Sequence, residues 1–464
     1  MAPTSKSQKP CLHERLTFTA STHAAESGYK LRSTNELGDA AAFLKKGQAA
    51  SKSRRDESKN SSPVLDYDWT FPAPLVLPDD DLALDPDYPP QSVEEWEDEE
   101  QRNKVTSRRR TVYVCAPPGI SDEVGFMKDW TIPFPEAKDA VQSPPHPATQ
   151  NIIDYLSAFY HGLPVEPLKQ DLSFFAWDKN AKPSRLKKKQ SAVPKYVGLG
   201  TSKDVTRIGV RVYDEAYEAQ LNLNDILDVA VSFLPNDAYA LVLLVEHDMY
   251  EHDEDDFCCG RAYGGSRVAV VSSARYNPTL DATERVDRAH AWPTSHCKSY
   301  VESKCNAAKP TKRPKKKAKI ETSKTNSSKG GEKPLDSPLH DAVKAHSELQ
   351  PQLSSPSPSD LTGLWLGRIC KTASHELGHC FGIDHCVYYA CIMQGTASLA
   401  EDARQPPYLC PIDQTKVLAA TGVKVDKQYE ALLKFCEARK QVELFAAFAA
   451  WLAARLDKGT GNVN

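Results

Sequence analysis

Three histidines and a glutamate fall in His375-Glu376-Leu377-Gly378-His379-Cys380-Phe381-Gly382-Ile383-Asp384-His385 with a spacing that can hold a metal ion and put it to use. In a helix, His375 and His379 lie one turn apart, so both imidazoles project from one face and can close on a single tetrahedral Zn²⁺. Glu376, one step round the helix, can hydrogen-bond a water on that ion and take its proton, which makes it the general-base candidate. Gly382 reaches positive φ at little cost, so it can end the helix and turn the chain back to bring His385 in as third ligand. One coordination position then stays open for water, and a hydroxide-like nucleophile beside a Lewis acid is the chemistry that hydrolyses amides. From this chain's own residue frequencies a bare HExxH arises by chance in on the order of one such chain in fifty, and HExxHxxGxxH in fewer than about one in ten thousand. The extended spacing therefore outweighs the bland alternative of a few core histidines.

HExxHxxGxxH with a methionine downstream is the metzincin signature, and Met393 follows His385 closely enough to lie beneath the metal ligands. Cys386 directly after the third histidine, then Cys391, Met393 and Cys410-Pro411-Ile412, resemble the archaemetzincin family. The resemblance covers about residues 150–165 and 205–435, with gaps. It implies a metzincin-like zinc peptidase fold with a Met-turn, and a second, structural zinc held by four cysteines. It also implies that Val268 to Tyr276 is the substrate-side edge strand, that the segment 267–275 aligns an extended peptide, and that Leu241 to Tyr250 is the strand and acidic turn before it. One position departs from the family pattern, because Asp413 stands where the fourth cysteine is expected. Carboxylate oxygen ligates zinc, so either Cys386, Cys391, Cys410 and Asp413 form a Cys3Asp site, or the three thiolates bind zinc with water in fourth place, or they are inert buried thiols.

The elements that must position these residues are legible as periodicities. Leu361, Leu364, Trp365, Ile369, Ala373 and Leu377 recur at helical spacing into the His motif, giving the metal-binding helix a core face of its own. Thr111-Val112-Tyr113-Val114-Cys115 alternates like a strand, Ile152 to Tyr160 reads as a helix, and 207–213, 221–233 and 238–245 read as strand, helix and buried strand. Tyr429, Leu432, Leu433 and Cys436, then Leu444, Phe445, Phe448, Trp451 and Leu452, give two amphipathic helical faces that close the domain. This order predicts an α/β (α+β) chain with a mixed twisted sheet and a long zinc-binding helix, in a single catalytic domain over 111–457 with a tail at 458–464.

With 464 residues the chain is long enough for three domains, yet its composition argues for fewer. Residues 1–110 are expected to be largely disordered, being rich in Ser, Lys and Thr and then in runs of like charge. Within them, Tyr67-Asp68-Trp69-Thr70-Phe71 reads as an apolar patch packed on the domain. A second low-complexity tract at 306–360 interrupts the domain, which is tolerable because loop-closure entropy grows slowly with length. Its basic run Lys312 to Lys319 is either a nuclear import signal, with an import receptor as partner, or a solvated linker; without interleaved aromatics it argues against nucleic acid. His247, His252, the acidic run and Cys258-Cys259 fit no ligand template and read as a solvated acidic loop. A net charge of −4 names no partner. With no secretory signal and no apolar run of membrane length, the expectation is a soluble intracellular protein, cytoplasmic or nuclear, that does not meet a membrane. In such a compartment twelve cysteines are thiols and metal ligands rather than disulfides. The leading functional reading is a zinc metallopeptidase acting on a peptide or protein substrate. The competing one is a catalytically silent zinc-stabilised interaction module with nuclear targeting, in which Glu376 would have no purpose.

Overall fold

Three apolar runs alternate between two cores. A computed structural model describes residues 11, 13, 15–42, 70–134, 143–177, 193–213, 215–307, 337–353 and 356–460. Its strands, in chain order, are β1 Thr111–Cys115, β2 Gly119–Ile120, β3 Val165–Pro167, β4 Ser173–Ala176, β5 Tyr196–Gly200, β6 Val205–Val212, β7 Ala219–Asn222, β8 Ala238–Val245, β9 Met249–Tyr250, β10 Gly260–Tyr263 and β11 Val268–Ser272. Its α-helices are α1 Thr22–Ser27, α2 Thr34–Ala41, α3 Asp81–Leu84, α4 Val93–Asp98, α5 Thr149–Phe159, α6 Leu223–Ser232, α7 Lys298–Ala307, α8 Pro338–Leu353, α9 Pro358–Cys380, α10 Leu399–Arg404, α11 Pro411–Thr421, α12 Val425–Glu437 and α13 Glu443–Thr460.

The main sheet runs β10-β11-β8-β1-β3, with β3, β1, β8 and β11 parallel and β10 antiparallel at one edge. Successive side chains of a strand point to opposite faces. Val112, Val114, Ala240, Val242, Leu244, Ala269 and Val271 accordingly join the core shared with α5 and α9. Cys115, Leu241, Leu243, Val245, Val268 and Val270 join a second core built with α6. Burial on both faces explains why β8 reads as a continuous apolar run rather than an alternating one. A second sheet, β2-β4-β5-β6-β7-β9, packs over that second core. The chain thus forms the mixed α/β architecture that its order of elements predicts.

The edge strand differs from the expectation. Residues 268–272 form β11, an interior strand paired on both sides, and the free edge belongs to β10. A strongly apolar run is suited to a strand with two neighbours; Gly260-Arg261-Ala262-Tyr263, half polar and half exposed, is suited to an edge.

Parts of 1–110 also depart from the expected disorder. Phe71, Leu82, Val93 and Trp96 are buried in the larger core, and Tyr29 donates to the Val387 carbonyl at 2.7 Å. This stretch has too few apolar residues for a core of its own, but each finds a place on the existing one. Phe71 sits edge-on to Tyr408 and Trp451, 5.5 and 5.7 Å between ring centres, as a packed patch would; Tyr67 to Trp69 lie outside the described residues. Within 306–360, α8 likewise packs on the domain, burying Leu339 and Ala342, so composition overstated the extent of that insertion. Lys312 to Lys319 lie outside the described residues.

His247 and Asp248 are not part of a solvated loop. Both are buried, and Arg275 grips the Asp248 carboxylate through Nε and Nη2 at 3.0 and 2.7 Å. The acidic residues after them, Asp253 to Asp255, are half to fully exposed. Among the described residues, no helix is long and apolar enough to cross a membrane.

Candidate active site

Helix α9 is set by its ends. Ser357 and Asp360 form a reciprocal capping box with Pro358 in the first turn. At the other end Gly382 takes φ +75°, its N–H reaching the His379 carbonyl at 2.9 Å and that of Ile383 reaching Gly378 at 3.2 Å. This turn returns the chain and brings His385 opposite the helix. The ring centres of His375 and His379 stand 5.3 and 5.1 Å from that of His385.

The hydrogen bonds of the first two histidines fix their chemistry. His375 Nδ1 lies 2.7 Å from the Ile392 carbonyl, and His379 Nδ1 lies 2.7 Å from that of Ile383. A carbonyl only accepts, so each Nδ1 carries the proton and each Nε2 is left with a lone pair. Those two Nε2 atoms converge to 3.1 Å. Burial and the neighbouring imidazoles hold His375 well below its usual pKa, and burial likewise takes His379 down to about 4. Three neutral imidazoles with ligand atoms within 4.8 Å of one another are a donor set that fits a zinc ion.

Close approach beneath the histidines requires two glycines. A Cβ on Gly378 would come within 2.5 Å of the Met393 sulfur, so that buried methionine lies directly against α9. A Cβ on Gly395 would meet the Asp81 carboxylate at 2.3 Å and His385 Nδ1 at 2.9 Å.

Glu376 is buried beside the three histidines, and burial pushes its carboxyl up to about 8. Its Cγ would lie 3.0 Å from a Cβ on Gly260, so the edge strand passes directly over it. Along that strand runs a cleft of about 800 Å³, lined by Gly260, Arg261, Ala262 and the motif residues. A second hollow of about 400 Å³ meets it at Gly260, His375, Glu376 and His385, and extends toward Tyr276, Ser398 and Asp402. Space for a chain therefore extends to both sides of the carboxylate.

Sequence reasoning missed the contribution of residues 88–103. Trp96 donates from Nε1 to the Phe381 carbonyl at 2.8 Å, with the Arg102 guanidinium 3.8 Å above its ring. Gln91 holds the returning turn from both ends of its amide: Nε2 donates to the Gly382 carbonyl and Asp384 Oδ2, both at 3.0 Å, and Oε1 accepts from the Asp384 N–H at 3.2 Å. The signal was present, since Ser92-Val93-Glu94-Glu95 is a capping box that announces α4. Gln91→Ala should loosen His385 and weaken metal binding roughly 10–100-fold, the usual effect of removing a partner behind a ligand. A competition titration against a zinc chelator measures this; an unchanged affinity would show that the turn holds without Gln91.

The second cluster lies behind the first. Cys386 Sγ is 3.6 Å from Cys410 Sγ, and Asp413 Oδ2 is 3.4 Å from both Cys391 Sγ and Cys410 Sγ. All four residues are buried with ligand atoms within 4.8 Å of one another. Cys410 caps α11, which places Asp413 in its first turn. The other carboxylate oxygen, Oδ1, accepts from Lys416 Nζ at 2.9 Å. Backbone N–H groups of Cys410 and Met393 point at Cys391 Sγ, at 3.2 and 3.5 Å. Burial pushes Asp413 up to about 7, and it raises Cys391 and Cys410 too. Three thiols and a carboxyl packed in a dry space cannot ionise together without a cation, which is the condition a structural zinc meets. Lys416 donates through the same Nζ to Gln91 Oε1 at 2.8 Å, so one chain of polar contacts links this cluster to the turn before His385.

Residues 357–417 match the model of peptidase family M54. Archaemetzincin-2 of Homo sapiens is 30% identical over 233 residues, covering 50% of this chain and 51% of that protein. Archaemetzincin-1 of Homo sapiens is 24% identical over 219 residues, covering 47% and 34%. This chain spans about half the length of the archaemetzincin-2 relatives it matches. Among solved structures, the archaemetzincin from Methanopyrus kandleri aligns with 68% of this chain and 97% of its own, at 15% identity and a TM-score of 0.31. The helix and loop that build both clusters thus lie within the segment that matches the model of peptidase family M54, and the curated relatives it resembles are archaemetzincins.

Proposed function

We propose that this chain is a zinc-dependent metallopeptidase in which His375, His379 and His385 hold the catalytic ion. The observation that carries the reading is the pair of unprotonated Nε2 atoms 3.1 Å apart, facing a cleft that also contains a buried carboxyl. Zinc in that position would polarise the scissile carbonyl and lower the pKa of a water. Glu376 would serve as the base that accepts a proton from the attacking water and as the acid that returns it to the leaving nitrogen. A carboxyl raised by burial is suited to the task, because a base works best with a pKa near the working pH. The outer edge of β10 carries unpaired backbone groups along the cleft, so an extended peptide can add to the sheet with its scissile bond over Glu376. The substrate is therefore a peptide, or an unstructured segment of a protein, bound in extended form.

Cys386, Cys391, Cys410 and Asp413 would hold a second, structural zinc, with Lys416 offsetting part of the excess negative charge. The basic run Lys312 to Lys319 fits recognition by a nuclear import receptor. A quenched-fluorescent peptide library tests the activity. Turnover should vanish with a chelator, return with zinc, and be lost in His375→Ala. Turnover indifferent to the chelator, or equal in His375→Ala, would overturn the reading.

A further inference from the structure

A third group of metal-type ligands lies away from both clusters, where the N-terminal segment crosses the stretch 287–300. That segment is laid down by backbone pairing: Leu16 bridges Cys297 in antiparallel register, Thr17 N–H donates to the His296 carbonyl at 2.8 Å, and Lys298 N–H donates to that of Arg15 at 2.8 Å. Cys11 Sγ ends 3.3 Å from Cys297 Sγ and 3.4 Å from Ser299 Oγ. Cys11, His13 and His290 offer ligand atoms within 4.8 Å of one another.

The histidines are prepared as ligands. His290 Nδ1 is hydrogen-bonded to the Asp287 carboxylate at 2.8 Å, and its ring stacks on Tyr300 with centroids 4.1 Å apart. A carboxylate accepts, so Nδ1 carries the proton and the neutral ring would offer its Nε2 lone pair, which is the carboxylate–histidine arrangement found behind metal-bound imidazoles. The Nε2 atom of His13 is buried without a hydrogen-bond partner, and that of His290 is buried beside the Cys11 thiol. A buried imidazole nitrogen left unpaired costs free energy, and two imidazoles beside a thiol pair offer an ion its ligands. The thiol pair borders a small apolar cluster of Leu75, Leu77, Tyr300, Val301 and Cys305, which keeps bulk water off one side.

We propose that Cys11, His13 and His290 bind a structural zinc ion, with the fourth position filled by water or by the Cys297 thiolate that neighbours Cys11. Cys11 and His13 come from the N-terminal segment and His290 from the stretch it crosses, so the ion staples the one to the other. Binding energy at such a site is also folding energy. It would offset the entropy of ordering a segment held otherwise by a few backbone hydrogen bonds.

The test uses the full chain purified with zinc. A Cys11→Ser/His13→Ala double variant should carry one zinc fewer than wild type, with peptide turnover unchanged, and His375→Ala should lose a different zinc while retaining this one. An unchanged zinc count in the double variant overturns the proposal. If the double variant does not fold, the wild type decides the matter. Cys11 should resist iodoacetamide in the zinc-loaded protein and label readily after chelation, with protection restored by zinc alone. Equal labelling in both states, or recovery of Cys11 in a disulfide with Cys297, overturns it.

Discussion

Glu376→Gln should lower peptide turnover by roughly 10²–10⁴-fold, the usual contribution of a positioned acid–base group, and leave the zinc count unchanged. Glutamine keeps the volume and can still accept a hydrogen bond, so the helix and the pairing of the histidines are preserved. What disappears is the ability to take a proton. The side chain is not a ligand in this geometry: the converging lone pairs belong to His375 and His379, while the carboxylate faces the Gly260 strand. His375→Ala removes a ligand and should lose both zinc and turnover. Elemental analysis beside the peptide assay separates the two roles. Zinc loss in Glu376→Gln as complete as in His375→Ala would make Glu376 a ligand and sink its assignment as base.

The pH profile provides a second check. Burial raises the Glu376 carboxyl to about 8, so in isolation its basic form would be populated only as pH rises through that value. A cation held by the three histidines favours the ionised form and moves the transition to lower pH. Turnover should therefore climb with pH along a single acid limb lying below 8. That limb should be missing from the residual activity of Glu376→Gln.

How much of this was legible from residues alone varied with the physics. The cluster of three histidines was readable because one helix and one tight turn supply it: His375 and His379 follow from helical period, and the positive φ of Gly382 is the step that returns His385. The interior strands were readable because burial on both faces demands uninterrupted apolar sequence. Gly260–Tyr263 was not, since an edge strand needs no apolar signature, and the more apolar neighbour at 268–272 drew the assignment. Residues 70–110 failed for a related reason. Composition measures whether a segment can make its own core, whereas Trp96 and Gln91 depend on a core and a turn supplied elsewhere in the chain. Long-range pairing of this kind, such as Gln91 with Asp384, leaves no local period to read. Asp413 lies between these cases. Its place in the cysteine spacing marked it as a substitute ligand, but the lysine that makes a carboxylate workable there is visible only once α11 is formed.

That lysine sets the outcome of the experiment on the second site. Asp413→Ala and Cys391→Ser should each carry one zinc fewer than wild type, because each removes one of the four proposed ligands. The loss should reach the fold. Structural zinc sites bind with apparent free energies of about 10–16 kcal/mol in small peptides at neutral pH, comparable with the whole stability of a domain at about 5–15 kcal/mol. Cys391→Ser should therefore lower the melting temperature clearly and, because Cys391 Sγ accepts from the Met393 N–H, slacken the loop beneath the three histidines. Asp413→Cys restores the all-thiolate set and should hold the second zinc more tightly, sulfur being the softer ligand. It also strips Lys416 of its carboxylate partner, and Lys416 is almost fully buried. Leaving one member of a buried ion pair alone costs about 3–5 kcal/mol, so Asp413→Cys should gain zinc affinity yet melt below wild type. Lys416→Met in the same chain should recover much of that stability. Zinc counts and melting curves on wild type, Asp413→Ala, Cys391→Ser, Asp413→Cys and the Asp413→Cys/Lys416→Met pair decide it. Equal zinc in wild type, Asp413→Ala and Cys391→Ser would mean that these are idle thiols packed around a salt bridge.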